Sequence, residues 1–321
     1  MQLGVSVEIQ EGMRYADTVA MVGAAEAAGF HAALLAEHYV PSGVAELYPD
    51  PDPDGANGTM SADAWIYLAA LARDTQRIRL GTLVSPVTFR HPSVLAKMAA
   101  TLDHVSGGRA ELGIGAGWLE GEHAAYGLDF PSGPRRVDLV EEQLQVITGL
   151  WTRDPFSHDG VRYLLTDCHF TPKPVQTPHP PIILGGRPSS RRLTRLAARY
   201  ADEYVVAMAS VQECRDARAA LDQLCQAAGR DPSSVRLSLF TAVCVGETEA
   251  EVDRRAEQLR STNAQYRRMD AERPTWLAGA PDRVAERLQE LAAAGVSRVL
   301  LAVNSDLHRE MLPLLAPQVE G

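Results

Sequence analysis

Short runs of apolar, often β-branched residues alternate along the chain with longer segments whose apolar positions recur every three or four residues. A run buried on both faces reads as a strand of a parallel sheet, and a stripe of 3.6-residue period reads as a helix packed on that sheet. The runs predict eight strands: Leu3–Val7, Ala32–Ala36, Ile78–Val84, Ala110–Gly115, Pro181–Gly185, Glu203–Ala207, Val235–Val245 and Ser297–Val303. The stripes predict eight helices between them: Tyr15–Ala28, Ala62–Asp74, Ser93–Val105, Arg136–Leu150, Ser190–Tyr200, Gln212–Ala228, Glu249–Arg260 and Asp282–Ala294, with a short further helix from Asp306. Eight strands each followed by a helix specify a closed (β/α)8 barrel, the TIM-barrel class, because closure leaves no edge strand. Residues 1–321 are then expected to form a single barrel domain, a size at which one large core is sustainable.

Two interruptions exceed ordinary connections. Val40 to Met60, after the second strand, holds four prolines and three glycines, and Thr152 to Pro180, before the fifth, reads as a hairpin followed by a proline-rich connector. Long loops inside a compact domain are usually functional or disordered, so both are lid candidates.

A barrel of this kind assembles its site from the loops at the C-terminal ends of its strands. Strand one ends at Glu8, strand two at Glu37-His38, strand three at Val84-Ser85, strand four at Gly115-Ala116-Gly117-Trp118 and strand five at Gly185-Gly186-Arg187. His38 stands out among nine histidines, since it follows an apolar strand directly and precedes the first long loop; an imidazole there could act as acid or base. Gly185 to Ser190 combines a strand end, a glycine pair and a serine-capped helix start, a place where backbone N–H groups and the helix dipole favour an anion such as phosphate. Arg187, Arg191, Arg192 and Arg195 add local positive charge, although arginines on a helix are more often a solvated face. Gly113 to Gly117 resembles a dinucleotide fingerprint only in its first glycines, and reads better as backbone stripped of side chains so that a flat ring can approach.

Composition narrows the chemistry. A net charge of −10 and a pI near 5.4 oppose nucleic acid and anionic membrane surfaces. The chain opens on a strand rather than a signal peptide and has no long apolar run, so a cytoplasmic protein is expected. The four cysteines are scattered without a C-x-x-C pair, and no H-E-x-x-H, H-x-H on strand one or G-x-S-x-G motif occurs, which argues against a metal site and a serine hydrolase. Lys97 and Lys173 are the only lysines, poor material for Schiff-base chemistry. The reaction is expected to come from a bound organic cofactor.

The sequence Arg77-Ile78-Arg79-Leu80-Gly81-Thr82-Leu83-Val84, with Arg90-His91-Pro92, Leu102 to Arg109 and Gly115-Ala116-Gly117-Trp118, resembles the bacterial luciferase-like monooxygenase superfamily. The likeness continues through Pro172 to Gln176, Pro180 to Gly186, Ala201-Asp202-Glu203 and Gly279 to Asp282, and so covers nearly the whole chain. Glu37-His38-Tyr39 and Gly117-Trp118 are similar to the actinobacterial branch that uses the deazaflavin coenzyme F420. The resemblance implies a non-proline cis peptide in a bulge after strand three, here Leu83–Val84, behind the cofactor ring. It implies a ring flanked by Ala116 and Gly117, cofactor contacts at Glu37 and Gly115, and a phosphate near Gly185, Gly186 and Arg187. His38, by its position, is the expected catalytic group, and a small-molecule substrate is expected; relatives are often dimers, which makes a homodimer one expected assembly. Sugar-phosphate dehydrogenases of the superfamily carry a proton-donating glutamate after the strand-four glycines, where this chain has Trp118. Three functions follow as expectations: F420-dependent hydride transfer, FMN-dependent monooxygenation, and cofactor binding with little turnover.

Overall fold

The computed structural model describes residues 1–42, 44, 60–262, 266 and 275–318. Eight parallel strands close into a ring: β1 (Gln2–Val7), β2 (Ala32–Leu35), β3 (Arg79–Thr82), β4 (Ala110–Gly115), β5 (Ile182–Gly186), β6 (Glu203–Ala207), β7 (Arg236–Val245) and β8 (Arg298–Val303). Each pairs with the next, and β8 returns to β1 in the register Gly4↔Leu300, so no barrel strand is left as an edge. The helices α1 (Tyr15–Ala27), α2 (Ala64–Asp74), α3 (Pro92–Ser106), α4 (Gly133–Thr152), α5 (Arg191–Tyr200), α6 (Val211–Ala227), α7 (Glu249–Thr262) and α8 (Pro281–Ala293) follow the strands in turn. The expected TIM barrel is therefore the fold, with every expected strand and helix present to within a few residues.

Strand alternation builds two cores from one ring. Along β2, Ala32 and Leu34 point into the barrel and pack with Ile183, Val205 and Leu300, whereas Ala33 and Leu35 point outward to the helix layer. The outer core is much the larger because each helix lays its apolar stripe on the strands beneath it. At the N-terminal end the barrel is plugged by charge: Arg298 is wholly buried, and its guanidinium reaches Glu203 at 2.6 Å and Glu111 at 2.9 Å. Burial alone would raise the Glu111 pKa, but Arg298 and Arg79 outweigh it and hold that carboxyl well below its usual range.

Two lid expectations resolve differently. The first loop falls largely on 43 and 45–59, outside the described residues. The second is corrected: the hairpin Phe156–Asp159 with Leu164–Cys168 docks on α4, where Glu142 accepts the N–H of Arg162 and Tyr163 at 2.9 Å. The connector beyond it, anchored by Val175 and Gln176 N–H to Asp103, seals the floor. The reason is topological, since α4 ends and β5 begins at the N-terminal face, far from the mouth. Three smaller elements had no clear sequence signal: the two-residue strand Ser85–Pro86, the short helix Glu120–Tyr126 and the strand Leu277–Gly279 beside β7. Among the described residues no helix is long and apolar enough to cross a membrane.

Candidate active site

At the C-terminal rim a cavity of about 610 Å³ opens between the strand ends. His38, Leu83, Val84, Gly115, Ala116, Gly117, Gly185, Gly186 and Arg187 all line it. Residues spread over 150 positions of sequence meet there because parallel strands deliver all their C-termini to one rim.

One wall is nearly bare backbone. The chain leaves β3 at Thr82, passes through a cis Leu83–Val84 peptide and rejoins the sheet as Ser85–Pro86 beside Ile114 and Gly115 of β4. A Cβ on Gly115 would sit 2.5 Å from Val84 Cγ2, so the bulge approaches β4 only because no side chain intervenes. Gly117 lies in the left-handed region at φ 75°, immediately before Trp118, which also lines the cavity. A wall so thinned of side chains leaves room for a flat ring to approach, as expected for a flavin or deazaflavin.

Glu37 is not on the cavity wall. It is buried behind the bulge, where it accepts from Ser85 Oγ at 2.5 Å and from Arg90. Arg90 also donates to Tyr39 Oη at 2.9 Å, and the Tyr39 ring stacks on Phe89 at 4.3 Å. The charge pair ties the end of β2 to the segment that follows β3, and a paired carboxylate is tolerable in that dry place.

His38 faces the cavity, its side chain only 13% exposed. Its Nδ1 lies 3.3 Å from both oxygens of Glu122, and Glu122 also accepts the N–H of Tyr39 at 2.6 Å and of Val40 at 3.4 Å. A carboxylate oxygen accepts, so His38 Nδ1 is placed to donate to Glu122. The Trp118 indole stands edge-on to the imidazole at 5.6 Å and is 58% exposed at the rim. Sequence reading missed Glu122, because it sits on the unpredicted helix Glu120–Tyr126; the signal available was a glutamate five residues past Gly117 in a polar stretch.

One further polar residue had been named only as a strand end. Glu8, at the end of β1, is buried on the cavity wall with Ser6 Oγ at 2.8 Å and Gln10 Nε2 at 2.9 Å on its two oxygens. On the opposite side, the turn from Gly186 to α5 offers fewer donors than its sequence suggested. Arg187 N–H bonds Ser190 Oγ, Ser190 N–H bonds the Arg187 carbonyl and Arg191 N–H bonds the Ser189 carbonyl. The Arg187 guanidinium has no side-chain partner among the described residues, and it faces the rim of the cavity. Among the described residues there is no cluster of three or more His, Cys, Asp or Glu fit to hold a metal ion.

A family model of the luciferase-like monooxygenases matches residues 1–298. The chain belongs to the luciferase-like monooxygenase family. Family members include proteins that use F420 and proteins that use FMN, and this chain is an oxidoreductase of that luciferase-like type. It is 29% identical over 262 residues to an FMNH2-dependent dimethylsulfone monooxygenase of Pseudomonas putida, covering 72% of this chain and 70% of the other. It is 32% identical over 182 residues to an F420-dependent glucose-6-phosphate dehydrogenase of Microbacterium testaceum, covering 56% of this chain but only 49% of that protein. In fold it matches an F420-dependent secondary alcohol dehydrogenase solved with an F420-acetone adduct, with a TM-score of 0.83 at 21% identity, over 100% of this chain and 99% of that one.

Proposed function

We propose that this luciferase-like protein moves a hydride between coenzyme F420 and a small organic substrate. One observation carries the reading: a single cavity joins a bare glycine wall to an imidazole oriented by a buried carboxylate. Leu83 and Val84 would back the ring, Gly115, Ala116 and Gly117 would flank it, and Gly185, Gly186 and Arg187 would take the phosphate. Glu37 would brace this seat from behind through Ser85 and Arg90. When bound, the deazaflavin supplies a ring carbon that gives or receives a hydride. His38 handles the accompanying proton at Nε2, taking it from a substrate hydroxyl in one direction and returning it to a carbonyl oxygen in the other. Glu122, through its contact with Nδ1, sets the tautomer and orientation of the imidazole. Leu83, Val205, Met208 and Phe240 line the same cavity with apolar surface, which excludes water from the reacting atoms.

FMN in the same seat is the second reading, and the FMNH2-dependent relative favours it. Titrating purified apoprotein separately with F420 and FMN distinguishes the two. F420 binding tighter than FMN, followed by turnover over a panel of alcohols and carbonyls, is the expected result. The variant His38→Ala should then lose at least about tenfold in turnover. Binding of FMN alone would replace the proposal, and tight F420 binding with no turnover under any condition would reduce the protein to a cofactor carrier.

A further inference from the structure

Beyond β1 the chain makes one 3-10 turn, Ile9–Glu11, and leaves it at Gly12, whose φ of 90° suits glycine. Ile9 is wholly buried in the outer core, whereas its neighbours Glu8 and Gln10 line the wall of the active-site cavity. The turn is pinned on two sides: Glu8 N–H donates to the Val303 carbonyl at 3.0 Å, and Ser42 N–H donates to the Gln10 carbonyl at 3.0 Å. Gln10 is therefore a fixed part of the mouth, and it is only 5% exposed.

Its side-chain amide has one orientation. An NH2 group can only donate, and Gln10 Nε2 gives its bond to Glu8 Oε2 at 2.9 Å, while Ser6 Oγ holds the other Glu8 oxygen at 2.8 Å. That contact directs the amide oxygen away from Glu8. Oε1 is buried and has no hydrogen-bond partner among the described residues, and a buried acceptor left unmet is costly. The position matters as much as the orientation. β1 pairs with β2, the strand that leads to His38, and stands across the ring from β5, whose end is the proposed phosphate position. The amide thus belongs to the His38 side of the mouth. Leu193, Val205, Met208 and Phe240 line the same cavity with apolar surface. Met208 is held there in the left-handed region at φ 53°, uncommon outside glycine, with its N–H on the Phe240 carbonyl at 2.8 Å.

We propose that Gln10 is a substrate-binding residue, its Oε1 accepting a hydrogen bond from a hydroxyl that the substrate carries besides the reacting alcohol or carbonyl. The substrate class is then a hydroxylated alcohol or ketone with a hydrocarbon body, rather than a simple alkanol. The inference rests on the proposed function, which seats the cofactor and gives the reacting oxygen to His38, and it adds what the rest of the cavity selects. Glu8 is a positioning residue, acting through the amide it orients. A site with a desolvated acceptor rejects an analogue lacking the donor more strongly than an apolar pocket rejects a missing methylene.

The test uses protein loaded with oxidised F420 and ketone probes, a pair that binds without hydride transfer, and measures affinity by calorimetric titration. The probes are 2-hexanone and its 4-, 5- and 6-hydroxy derivatives. At least one hydroxyketone should bind at least about tenfold more tightly than 2-hexanone. In Gln10→Met, close in shape but without the acceptor oxygen, that preference should vanish; F420 binding by the variant shows that it is folded. Glu8→Leu, which frees the amide, should lower the same ratio, a readout that a general loss of stability does not move. Equal affinity for all four probes in the parent, as a water molecule on Oε1 would give, overturns the inference and leaves the cofactor reading standing. So does binding of none of them, or a preference that survives Gln10→Met. Failure of the parent to bind F420 overturns both.

Discussion

Replacing Glu122 by glutamine tests the chemistry of the site most directly. The carboxylate receives three donors, His38 Nδ1 at 3.3 Å, Tyr39 N–H at 2.6 Å and Val40 N–H at 3.4 Å. Glutamine keeps one acceptor oxygen, which the short Tyr39 bond will claim, and turns its NH2 toward the imidazole. Nδ1 must then accept rather than donate, and the ring proton moves to Nε2. A hydrogen bond to a charged group is worth about 1.5–3 kcal/mol, so the Nδ1–H tautomer should lose about ten- to hundredfold in population. Nitrogen NMR of histidine-labelled protein reads the tautomer directly, with the His38 signals assigned by their loss in His38→Ala. Turnover should fall by the same factor while cofactor affinity stays unchanged, because Glu122 does not line the cavity. A Glu122→Gln protein that keeps its proton on Nδ1, or turns over like the parent, refutes the orientation argument.

The remaining expectations concern the seat and the core. In Gly115→Ala the new methyl would meet Val84 Cγ2 at 2.5 Å, and the stiff valine must rotate into the cavity; cofactor affinity should drop by at least about tenfold with little change in melting temperature, and unaltered binding would mean that the ring does not use this wall. Burial pushes the His308 pKa down from 6.5 to about 3, and burial with neighbouring arginines pushes His31 down to about 4. Because the unfolded chain protonates first as pH falls, their contribution to stability is full above about pH 6.5 and is lost progressively toward pH 4 for His31 and pH 3 for His308. For fully buried His308 the loss is about 1.4 kcal/mol per pH unit. Urea midpoints between those limits should fall steadily, and a His308→Asn protein with the same pH slope as the parent would exclude this source.

Much of the site was legible because its parts are local. A strand end followed by a glycine pair, or by a histidine, is visible in a few residues, and barrel topology then says that such positions share a rim. The cis bulge at Leu83–Val84 was anticipated through family resemblance rather than through local pattern. What stayed hidden depended on distance. Glu122 reaches back across 84 residues to His38, from a helix of seven residues too short to show a periodic stripe. Glu37 was expected at the cofactor site but is not among the residues lining the cavity, because the side chain before His38 must leave the strand in the opposite direction and there meets Arg90. The connector before β5 looked like a lid because length and proline content carry no sign of which end of the barrel a loop covers.

Sequence alone therefore determined the barrel, its strand count and the rim that holds the chemistry, since hydrophobic period and chain connectivity are local properties that leave few topologies open. The tertiary structure decided which groups touch: the carboxylate that orients His38 and the charge pair behind the bulge. Those outcomes depend on contacts between residues far apart in the chain, and no window of sequence contains both members of such a pair.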